Sequence, residues 1–487
     1  MAKTSDKPFR VILVGGGLVS LTAAHILSKA DIDFVILEKH DRLLTQIGSL
    51  LGLIPSTLRI FDQLGILDDV TAIACPVVSN YVMSADDQTL FSNLESGKHF
   101  RTFHGRDSLV THRPFLIDVL YKTLPPSAKA RVKVGKLVTS ISTTSSPDGV
   151  RVECADGTVE EGSMVIGADG VYSKTRQIME ALASGSSAAP SASEEPEAPY
   201  VSTYRFLFGN IPMPPGVTAG VNYECASDGV STQLMAGTDR AWLGVYEALD
   251  QPTPGNLRYT DADKEALLKK YSHLYVAPGW TVADAFALRE GEMGLVPLQE
   301  GWVERWWHAR IVLVGDAVRK LDPHAGLGYN SGVMDMVVLA NKLRRLLLAD
   351  PCPDTEALGA VFADYQAQMA LYKPNTDYLS RVRPRQLGWL TAKDKLMTKY
   401  VIPWTGLNKL GVRYVLAPFI SSLPVLEWLE EKGPPGKPRL PYVHHALVEG
   451  KGVVVPQRSS QSLSLFTGAF AVAAIAAAGL QYYGRIL

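Results

Sequence analysis

The chain has 487 residues, with 48 lysines and arginines against 49 aspartates and glutamates and a net charge of −1. This length suits two or three domains, and the charge balance argues against a nucleic-acid partner. The widely separated cysteines form no metal-ligand spacing, which favours a reduced cytosolic setting; they are Cys75, Cys154, Cys225 and Cys352.

The first forty residues predict the strand–turn–helix–strand unit of a dinucleotide-binding fold. A short apolar run is followed by Gly15-Gly16-Gly17, a helix of small residues and a second apolar run that ends on Glu38. Gly15 allows a tight turn, Gly17 allows the backbone to approach a pyrophosphate, and Glu38 is placed to bond ribose hydroxyls. The third motif position is Ser20 in place of glycine, and the alternative is an ordinary strand-to-helix turn.

Apolar and alternating runs predict short elements between the glycine turn and residue 200. The expected elements are a helix over 50–67, a strand over 81–90, a helix over 115–124, and strands at 132–134, 150–152 and 164–166. Residues 181–198 are rich in Ala, Ser, Pro and Glu and are expected to form a mobile loop.

The second half of the chain begins with strand-like alternation over 200–249, which predicts an antiparallel sheet. The expected elements after it are a helix over 261–271, a buried strand over 311–314, a long helix over 330–348 and a mainly helical region over 350–455.

Two further strands are expected to end in glycine–aspartate motifs. One runs into Asp169-Gly170, and the other into Gly315-Asp316, with Gly326 and Gly328 shortly behind. Because ligands bind at the carboxyl ends of strands in open α/β sheets, both motifs are expected at the same sheet edge as the first glycine turn.

These three motifs, with Ser173 and Arg176 behind Asp169, resemble the FAD-dependent aromatic hydroxylases and epoxidases of the para-hydroxybenzoate hydroxylase type. Within them, the chain resembles most the fungal membrane-associated epoxidases of indole-diterpene and meroterpenoid biosynthesis. The resemblance implies an α/β Rossmann-like FAD-binding fold with an inserted antiparallel-sheet substrate domain and a helical C-terminal region ending in a transmembrane helix.

The domains implied by the resemblance follow the predicted elements. They are an FAD-binding first part over 9–180 with a strand near 81–104 that joins the substrate sheet, a flexible loop over 181–198, a substrate-binding sheet domain over 199–304, an FAD-binding second part over 305–348, a helical region over 349–455 and a transmembrane helix over 463–480.

The resemblance also implies cofactor-binding roles for ten residues. These are Gly15 and Gly17 at the FAD pyrophosphate, Glu38 at the adenosine ribose, Gly52 and Arg113 as FAD contacts, Asp169 near the pyrophosphates of FAD and NADPH, Asp316 at the ribityl chain, and Gly326, Gly328 and Tyr329 beside the flavin pyrimidine. Two positions depart from the family pattern, with Arg319 where histidine is common and Leu327 where glutamine is common.

Bland alternatives exist for several of these residues. Glu38 and Arg113 suit surface ion pairs, and Asp169 and Asp316 suit helix N-caps. The catalytic candidates on the substrate sheet are Tyr223 and Arg205, near positions where relatives place catalytic Tyr or Arg. Ordinary sheet decoration is the competing interpretation for both.

The implied reaction is reduction of FAD by NADPH and transfer of one oxygen atom of O2 to a hydrophobic, prenylated secondary metabolite. Epoxidation of a prenyl olefin is the favoured outcome, and hydroxylation of an activated phenol is the alternative. An FAD-dependent prenyl reductase and a non-enzymatic flavin-binding or membrane-scaffold protein are competing functions. No metal is expected, because the histidines form no ligand cluster.

The run over 463–480 lacks charged residues for 18 positions. Because about 20 apolar residues cross a bilayer core, the sequence predicts a single-pass membrane protein with a cytosolic catalytic domain. The alternative is a helix that docks on the catalytic body.

Overall fold

The computed structural model describes residues 8–43, 50–143, 149–185 and 199–447. The strands are β1 Arg10–Val14, β2 Asp33–Leu37, β3 Leu50–Leu53, β4 Ala74–Pro76, β5 Ser79–Ser84, β6 Leu90–Leu94, β7 Leu109–His112, β8 Val132–Lys133, β9 Val138–Thr143, β10 Val150–Cys154, β11 Val159–Gly162, β12 Met164–Gly167, β13 Val201–Pro212, β14 Val221–Ser227, β15 Val230–Ala236, β16 Arg240–Pro254, β17 Tyr275–Ala277, β18 Trp280–Thr281, β19 Glu290–Trp302, β20 Trp307–His308, β21 Ile311–Leu313 and β22 Arg319–Lys320.

The helices alternate with these strands in the first half and dominate the end of the described chain. They are α1 Leu18–Lys29, α2 Pro55–Leu64, α3 Leu67–Ala72, α4 Ser96–His104, α5 Arg113–Lys122, α6 Pro126–Lys129, α7 Lys174–Ala183, α8 Asp261–Tyr271, α9 Val282–Ala287, α10 Leu327–Ala349, α11 Thr355–Ala370, α12 Lys373–Leu387, α13 Ala392–Leu396, α14 Ile402–Thr405, α15 Leu407–Gly411 and α16 Ala417–Ser421.

The central sheet has the strand order β20-β21-β12-β1-β2-β8, and only β20 runs antiparallel to its neighbour. Its middle strands are apolar on both faces, as parallel sheets covered by helices require; Val11, Ile12 and Leu13 of β1 are 0% exposed. The sheet is assembled from distant parts of the chain, because β13 to β16 and β19 of the second sheet lie in sequence between β12 and its partner β21. This confirms the predicted Rossmann-like α/β fold.

The second sheet, the large sheet, has the order β22-β19-β13-β16-β15-β14-β5-β6. All its pairs are antiparallel except β14 with β5. One face packs against α8 and α9 through a mainly aliphatic cluster that includes Leu207 and Leu243 and to which α9 contributes the Phe286 ring. The other face, the aromatic face, carries residues one position out of phase, since side chains alternate along a strand; its buried cluster is Tyr204, Phe206, Trp242, Tyr246 and Leu298.

Several predicted elements are corrected. The helix expected over 50–67 is the strand β3 followed by two helices, because Pro55 begins α2 and Gly65, with φ 78°, ends it. The strand expected over 81–90 is the hairpin of β5 and β6 in the large sheet. The mainly helical region ends at α16, and residues 422–447 contain no further helix.

The prediction of a single-pass membrane protein is also corrected. No helix in the described ranges combines the length and apolar character that a bilayer crossing requires. Even α10, with 23 residues, carries charged side chains along its length at Asp335, Lys342, Arg344 and Arg345. The expected span over 463–480 and most of the expected loop over 181–198 lie outside the described residues.

Candidate cofactor and substrate site

The three glycine motifs meet at one edge of the central sheet. Val14, Gly167 and Leu313 occupy the same register level at the carboxyl ends of β1, β12 and β21. The residues that follow these strands therefore lie side by side, at the edge where open α/β sheets bind ligands.

The first glycine turn is packed tightly on one side and open on the other. Gly15 has φ 99°, and a Cβ atom there would lie 2.7 Å from the carbonyl oxygen of Ala168 and 2.9 Å from the Cα of Asp169. Gly17 is the N-cap of α1, and a Cβ atom built on it would meet no atom within 4 Å. A turn without side chains in front of a helix N-terminus fits a pyrophosphate, whose charge the backbone N–H groups and the helix dipole stabilise.

Glu38 is held against this turn. Its Oε2 accepts a hydrogen bond from the Gly16 N–H at 2.5 Å, and its Oε1 accepts one from the His40 N–H at 2.9 Å. The residue is 9% exposed and forms no ion pair within the part of the chain that the structure describes. This placement beside the glycine turn argues against the surface ion-pair alternative.

Asp169 organises the start of α7. Its carboxylate accepts hydrogen bonds from Ser173 Oγ at 2.5 Å and from the N–H and Oγ1 of Thr175 at 2.9 Å each. Ser173 is the N-cap of that helix and accepts from the Arg176 N–H at 3.0 Å. Burial raises the pKa of the Asp169 carboxyl above its usual range. Its contacts with the chain are thus those of a helix-terminus carboxylate beside the glycine turn.

Asp316 follows β21 in a short 3-10 turn, Gly315–Ala317. Its carboxylate accepts a hydrogen bond from Lys320 Nζ at 2.5 Å, and its backbone carbonyl accepts one from the Tyr200 hydroxyl at 2.9 Å. The Asp316 side chain is 32% exposed at the edge of the sheet, which leaves carboxylate surface available to a ligand.

The departure at Arg319 has a structural reason. Its guanidinium makes two hydrogen bonds of 2.9 Å with the Asp335 carboxylate, and both side chains are almost fully buried. Asp335 also accepts a hydrogen bond from the Gly315 N–H at 2.8 Å. The guanidinium lies 5.2 Å and 5.6 Å from the ring centroids of Trp302 and Trp306. Arg319 thus fixes the Gly315 turn to α10.

Asn330, which is not among the predicted cofactor-binding residues, holds the turn Pro323–Ala325 and Gly326, called here the second glycine turn. Asn330 Nδ2 donates to the carbonyl oxygens of Gly52 at 2.7 Å and Gly326 at 2.5 Å. Its Oδ1 accepts from the Ile54 N–H at 3.2 Å and from Thr57 Oγ1 at 2.6 Å. A Cβ atom on Gly326, whose φ is 63°, would lie 3.7 Å from the Gly52 Cα, so the two glycines face each other.

The remaining predicted cofactor-binding residues differ in how accessible they are to a ligand. A Cβ atom on Gly328 would meet nothing within 4 Å, so this end of α10 is open. The Tyr329 hydroxyl lies 2.8 Å from Thr22 Oγ1 and joins α10 to α1. Arg113 is exposed at the start of α5 and makes no hydrogen bond or ion pair to another described residue, which leaves it available to an anionic ligand.

The structure does not bring Tyr223 and Arg205 to the glycine motifs. Both lie on the face of the large sheet that packs against α8 and α9. Arg205 is paired with Glu247, which also accepts from Lys270 and Tyr271. Tyr223 stacks on Tyr81 at 5.5 Å between ring centroids. This placement favours a role in sheet packing over a role in catalysis. Side chains one position apart along a strand lie on opposite faces, so these two residues point away from the face that meets the glycine motifs.

The aromatic face, by contrast, touches the second glycine turn. The Tyr246 ring lies 4.0 Å from the ring of His324 and 4.2 Å from that of Phe206. Its hydroxyl donates to Gln233 Oε1 at 2.7 Å, and Gln233 Nε2 donates to Asn222 Oδ1 at 2.9 Å. Strand alternation places these residues on one face, but only the three-dimensional contact with His324 identifies it as the face that meets the glycine motifs.

Comparison with known proteins agrees with this geometry. Residues 9–202 and 276–350 match the family model described as FAD binding domain. The chain belongs to this FAD-binding family and is an FAD-dependent monooxygenase.

Curated relatives cover most of the chain. The FAD-dependent monooxygenase srdH of Neurospora crassa is 32% identical over 417 residues, which is 81% of this chain and 90% of that one. The FAD-dependent monooxygenase ausM of Penicillium brasilianum is 31% identical over 82% of this chain and 83% of that one.

Solved structures share the fold at lower identity. Klebsiella pneumoniae HpxO, complexed with FAD and uric acid, superposes with a TM-score of 0.67 and 19% identity over 85% of this chain and 96% of that one. The 2,6-dihydroxypyridine-3-hydroxylase of Arthrobacter nicotinovorans gives a TM-score of 0.60 and 18% identity over 79% and 94% of the two chains.

Proposed function

We propose that this FAD-dependent monooxygenase uses NAD(P)H and O2 to add one oxygen atom to a hydrophobic, prenylated secondary metabolite. Epoxidation of a prenyl olefin is the reaction we favour. The observation that carries the proposal is the contact between the second glycine turn and the aromatic face, through His324 on Tyr246 at 4.0 Å. It sets an apolar surface beside the residues suited to FAD.

The chain offers FAD a continuous set of partners along one sheet edge. The open backbone at Gly17 fits the pyrophosphate, Glu38 the ribose, and Asp316 the ribityl hydroxyls. Gly328 would present open backbone at the start of α10, and Gly326 would hold the turn before it against Gly52. When bound, FAD supplies the transfer of electrons from NAD(P)H and the activation of O2.

The role of the protein in this reaction is to bind the substrate, orient it and exclude water. Tyr204, Phe206 and Tyr246 are between 1% and 4% exposed, so solvent has little access to the aromatic face. Burying apolar chain against it stabilises the complex by about 0.8 kcal/mol per CH2 group. A prenyl group gains from such a surface in proportion to its length, which supports a terpenoid-bearing substrate.

Hydroxylation of a phenol is the second candidate. It is favoured by one observation, the polar groups interspersed on the same face at Asn222, Gln233 and His324. A substrate with only a hydrocarbon body would have no use for them, whereas an oxygenated ring has polar atoms to match.

Incubation of the FAD-loaded protein with NADPH and prenylated phenols under labelled O2 tests the proposal. The expected product gains one labelled oxygen atom, and its position on the olefin or on the ring separates epoxidation from hydroxylation. A saturated prenyl chain without label, or NADPH oxidation with no labelled product across the panel, contradicts a monooxygenase with this substrate class.

A further inference from the structure

The turn that contacts the aromatic face contains an aspartate–histidine pair. Asp322 is the N-cap of the short turn Pro323–Ala325, and its Oδ1 accepts a hydrogen bond from the His324 N–H at 3.0 Å. The same oxygen lies 2.6 Å from His324 Nδ1. The side chains of His324 and Asp322 are 1% and 4% exposed, so the pair is buried.

This pairing fixes which nitrogen of the imidazole carries a proton. A carboxylate oxygen is an acceptor, so Nδ1 must donate to it, and in the neutral ring Nε2 keeps a free lone pair. Nε2 is buried and has no hydrogen-bond partner among the described residues. Leaving a buried polar atom unsatisfied costs about 1–3 kcal/mol, which a ligand that donates a hydrogen bond would recover.

The neighbouring groups do not meet this need. The Tyr246 ring covers the imidazole at 4.0 Å, but its hydroxyl is already donated to Gln233. On the same aromatic face, Tyr204 OH and Trp242 Nε1 are also buried without a partner in the described chain. One acceptor and two donors are thus unsatisfied on a mainly aromatic surface, a pattern typical of a binding pocket for an amphiphilic ligand.

We propose that His324 Nε2 accepts a hydrogen bond from a hydroxyl group of the substrate, with Asp322 holding the imidazole in the required tautomer. The inference rests on the proposed function and narrows it: the substrate carries a hydroxyl on the ring or chain that enters beside the second glycine turn. His324 is then a residue that determines substrate specificity.

Equilibrium binding to the FAD-loaded protein without NADPH tests this assignment. The probes are 4-prenylphenol and 4-prenyltoluene, which have nearly the same shape but differ in the hydroxyl. The wild-type protein should prefer the phenol, and His324→Phe should lower that preference about tenfold, which corresponds to about 1.4 kcal/mol. His324→Gln should retain part of it, because its side-chain oxygen accepts a hydrogen bond.

Two controls define the outcome. His308→Phe, on β20 outside the site, should leave the phenol preference unchanged, and FAD content with circular dichroism should show that each variant is folded. An equal preference in the wild type and His324→Phe overturns the inference, as does the absence of binding of either probe. Weaker FAD binding in His324→Phe with an unchanged preference also overturns it, by assigning Nε2 to the cofactor.

This result can be separated from a failure of the proposed function. If the phenol preference depends on His324 but no labelled oxygen enters the product, the binding role stands and the proposed reaction fails. If oxygen is incorporated while the preference is independent of His324, the reaction stands and the inference fails.

Discussion

Arg176 donates hydrogen bonds of 2.9 Å to the carbonyl oxygens of Ala317 and Val171, and so links the helix that follows Asp169 to the turn that contains Asp316. Its side chain is buried, at 1% exposure, and its guanidinium lies 5.6 Å from the Tyr200 ring. Tyr200 in turn donates to the Asp316 carbonyl. These hydrogen bonds therefore hold two motifs that are about 140 residues apart in sequence together as one rigid unit.

Arg176→Met should loosen this unit. We expect the protein to lose about 2–3 kcal/mol of stability, the value of hydrogen bonds from a buried charged donor, and to bind FAD at least about tenfold more weakly. FAD affinity is measured by fluorescence titration, and stability by urea unfolding.

Arg310→Met is the matched control. Arg310 is also 1% exposed and donates to the carbonyl oxygens of Ser163 and Pro353, but it precedes β21 at the opposite end of the strand. It should lose similar stability and keep its FAD affinity. Equal FAD affinities in the two variants would refute a link between Arg176 and the cofactor site.

Asn330→Ala should weaken FAD binding more than its effect on stability explains. It removes the hydrogen bonds to Gly52 and Gly326 and leaves two facing glycines without a brace. Asn341→Ala, on the same helix, removes hydrogen bonds to Val425 and Glu427 away from the glycine turn. Both variants should lose about 1–3 kcal/mol of free energy of unfolding, but only Asn330→Ala should bind FAD more weakly. If Asn341→Ala weakened FAD binding and Asn330→Ala did not, the hydrogen bonds of Asn330 would not be needed for cofactor binding.

Tyr223→Phe should leave substrate-dependent NADPH oxidation unchanged, because the one hydrogen bond of its hydroxyl within the described chain is a 3.5 Å contact from the Thr218 N–H on the helix-covered face. Tyr246→Phe removes the hydrogen bond to Gln233 on the aromatic face and should raise KM several-fold, about 1 kcal/mol. The two variants make the same chemical change on opposite faces. A larger effect of Tyr223→Phe would restore it as a catalytic candidate.

The stability of the protein should fall as the pH drops from about 6.5 to 4 because of His104. Its side chain is 0% exposed, and neither ring nitrogen has a hydrogen-bond partner in the described part of the chain. Burial, with a contribution from Arg59, lowers the pKa of His104 from 6.5 to about 4. Between these values the unfolded chain binds a proton that the folded chain does not, so folding loses up to about 3 kcal/mol.

Urea unfolding at pH 7 and pH 4.5 measures this effect. His104→Phe should reduce the difference between the two pH values, because phenylalanine does not titrate and fits beside Phe100 and Tyr442. His273→Phe, at an exposed position, should leave the difference as in the wild type. A His104→Phe protein with the wild-type pH dependence would contradict the assignment.

The sequence predicted best those features that depend on local chain geometry. Gly15 must turn without a Cβ atom, and Glu38 must follow the second strand, so both can be read from spacing. The strands predicted over 164–166 and 311–314 indicate a shared edge, because parallel strands in an open sheet point the same way.

The features it could not predict depend on distant partners. Tyr223 and Tyr246 are both aromatic strand residues, and the face of each follows from registry with neighbouring strands and from the position of α8 and α9. Asn330 gives no local sign that its amide joins Gly52 to Gly326, because those residues are far apart along the chain. In the sequence, Arg319 is a position where the histidine common in the family is absent. Its role follows from the ion pair with Asp335, which is seen in the structure.

The return of β21 to the central sheet has a consequence for biosynthesis. On the ribosome, β12 emerges well before Ile311–Leu313, and five of the eight strands of the large sheet, β13 to β16 and β19, are synthesised between them. Until β21 arrives, β12 is an unprotected sheet edge, and such edges recruit other chains. Because Asp316 and Gly326 come later still, the nascent chain cannot gain stability from the cofactor during this interval. The interval between the synthesis of β12 and that of β21 is therefore the period in which the nascent chain is most exposed to aggregation.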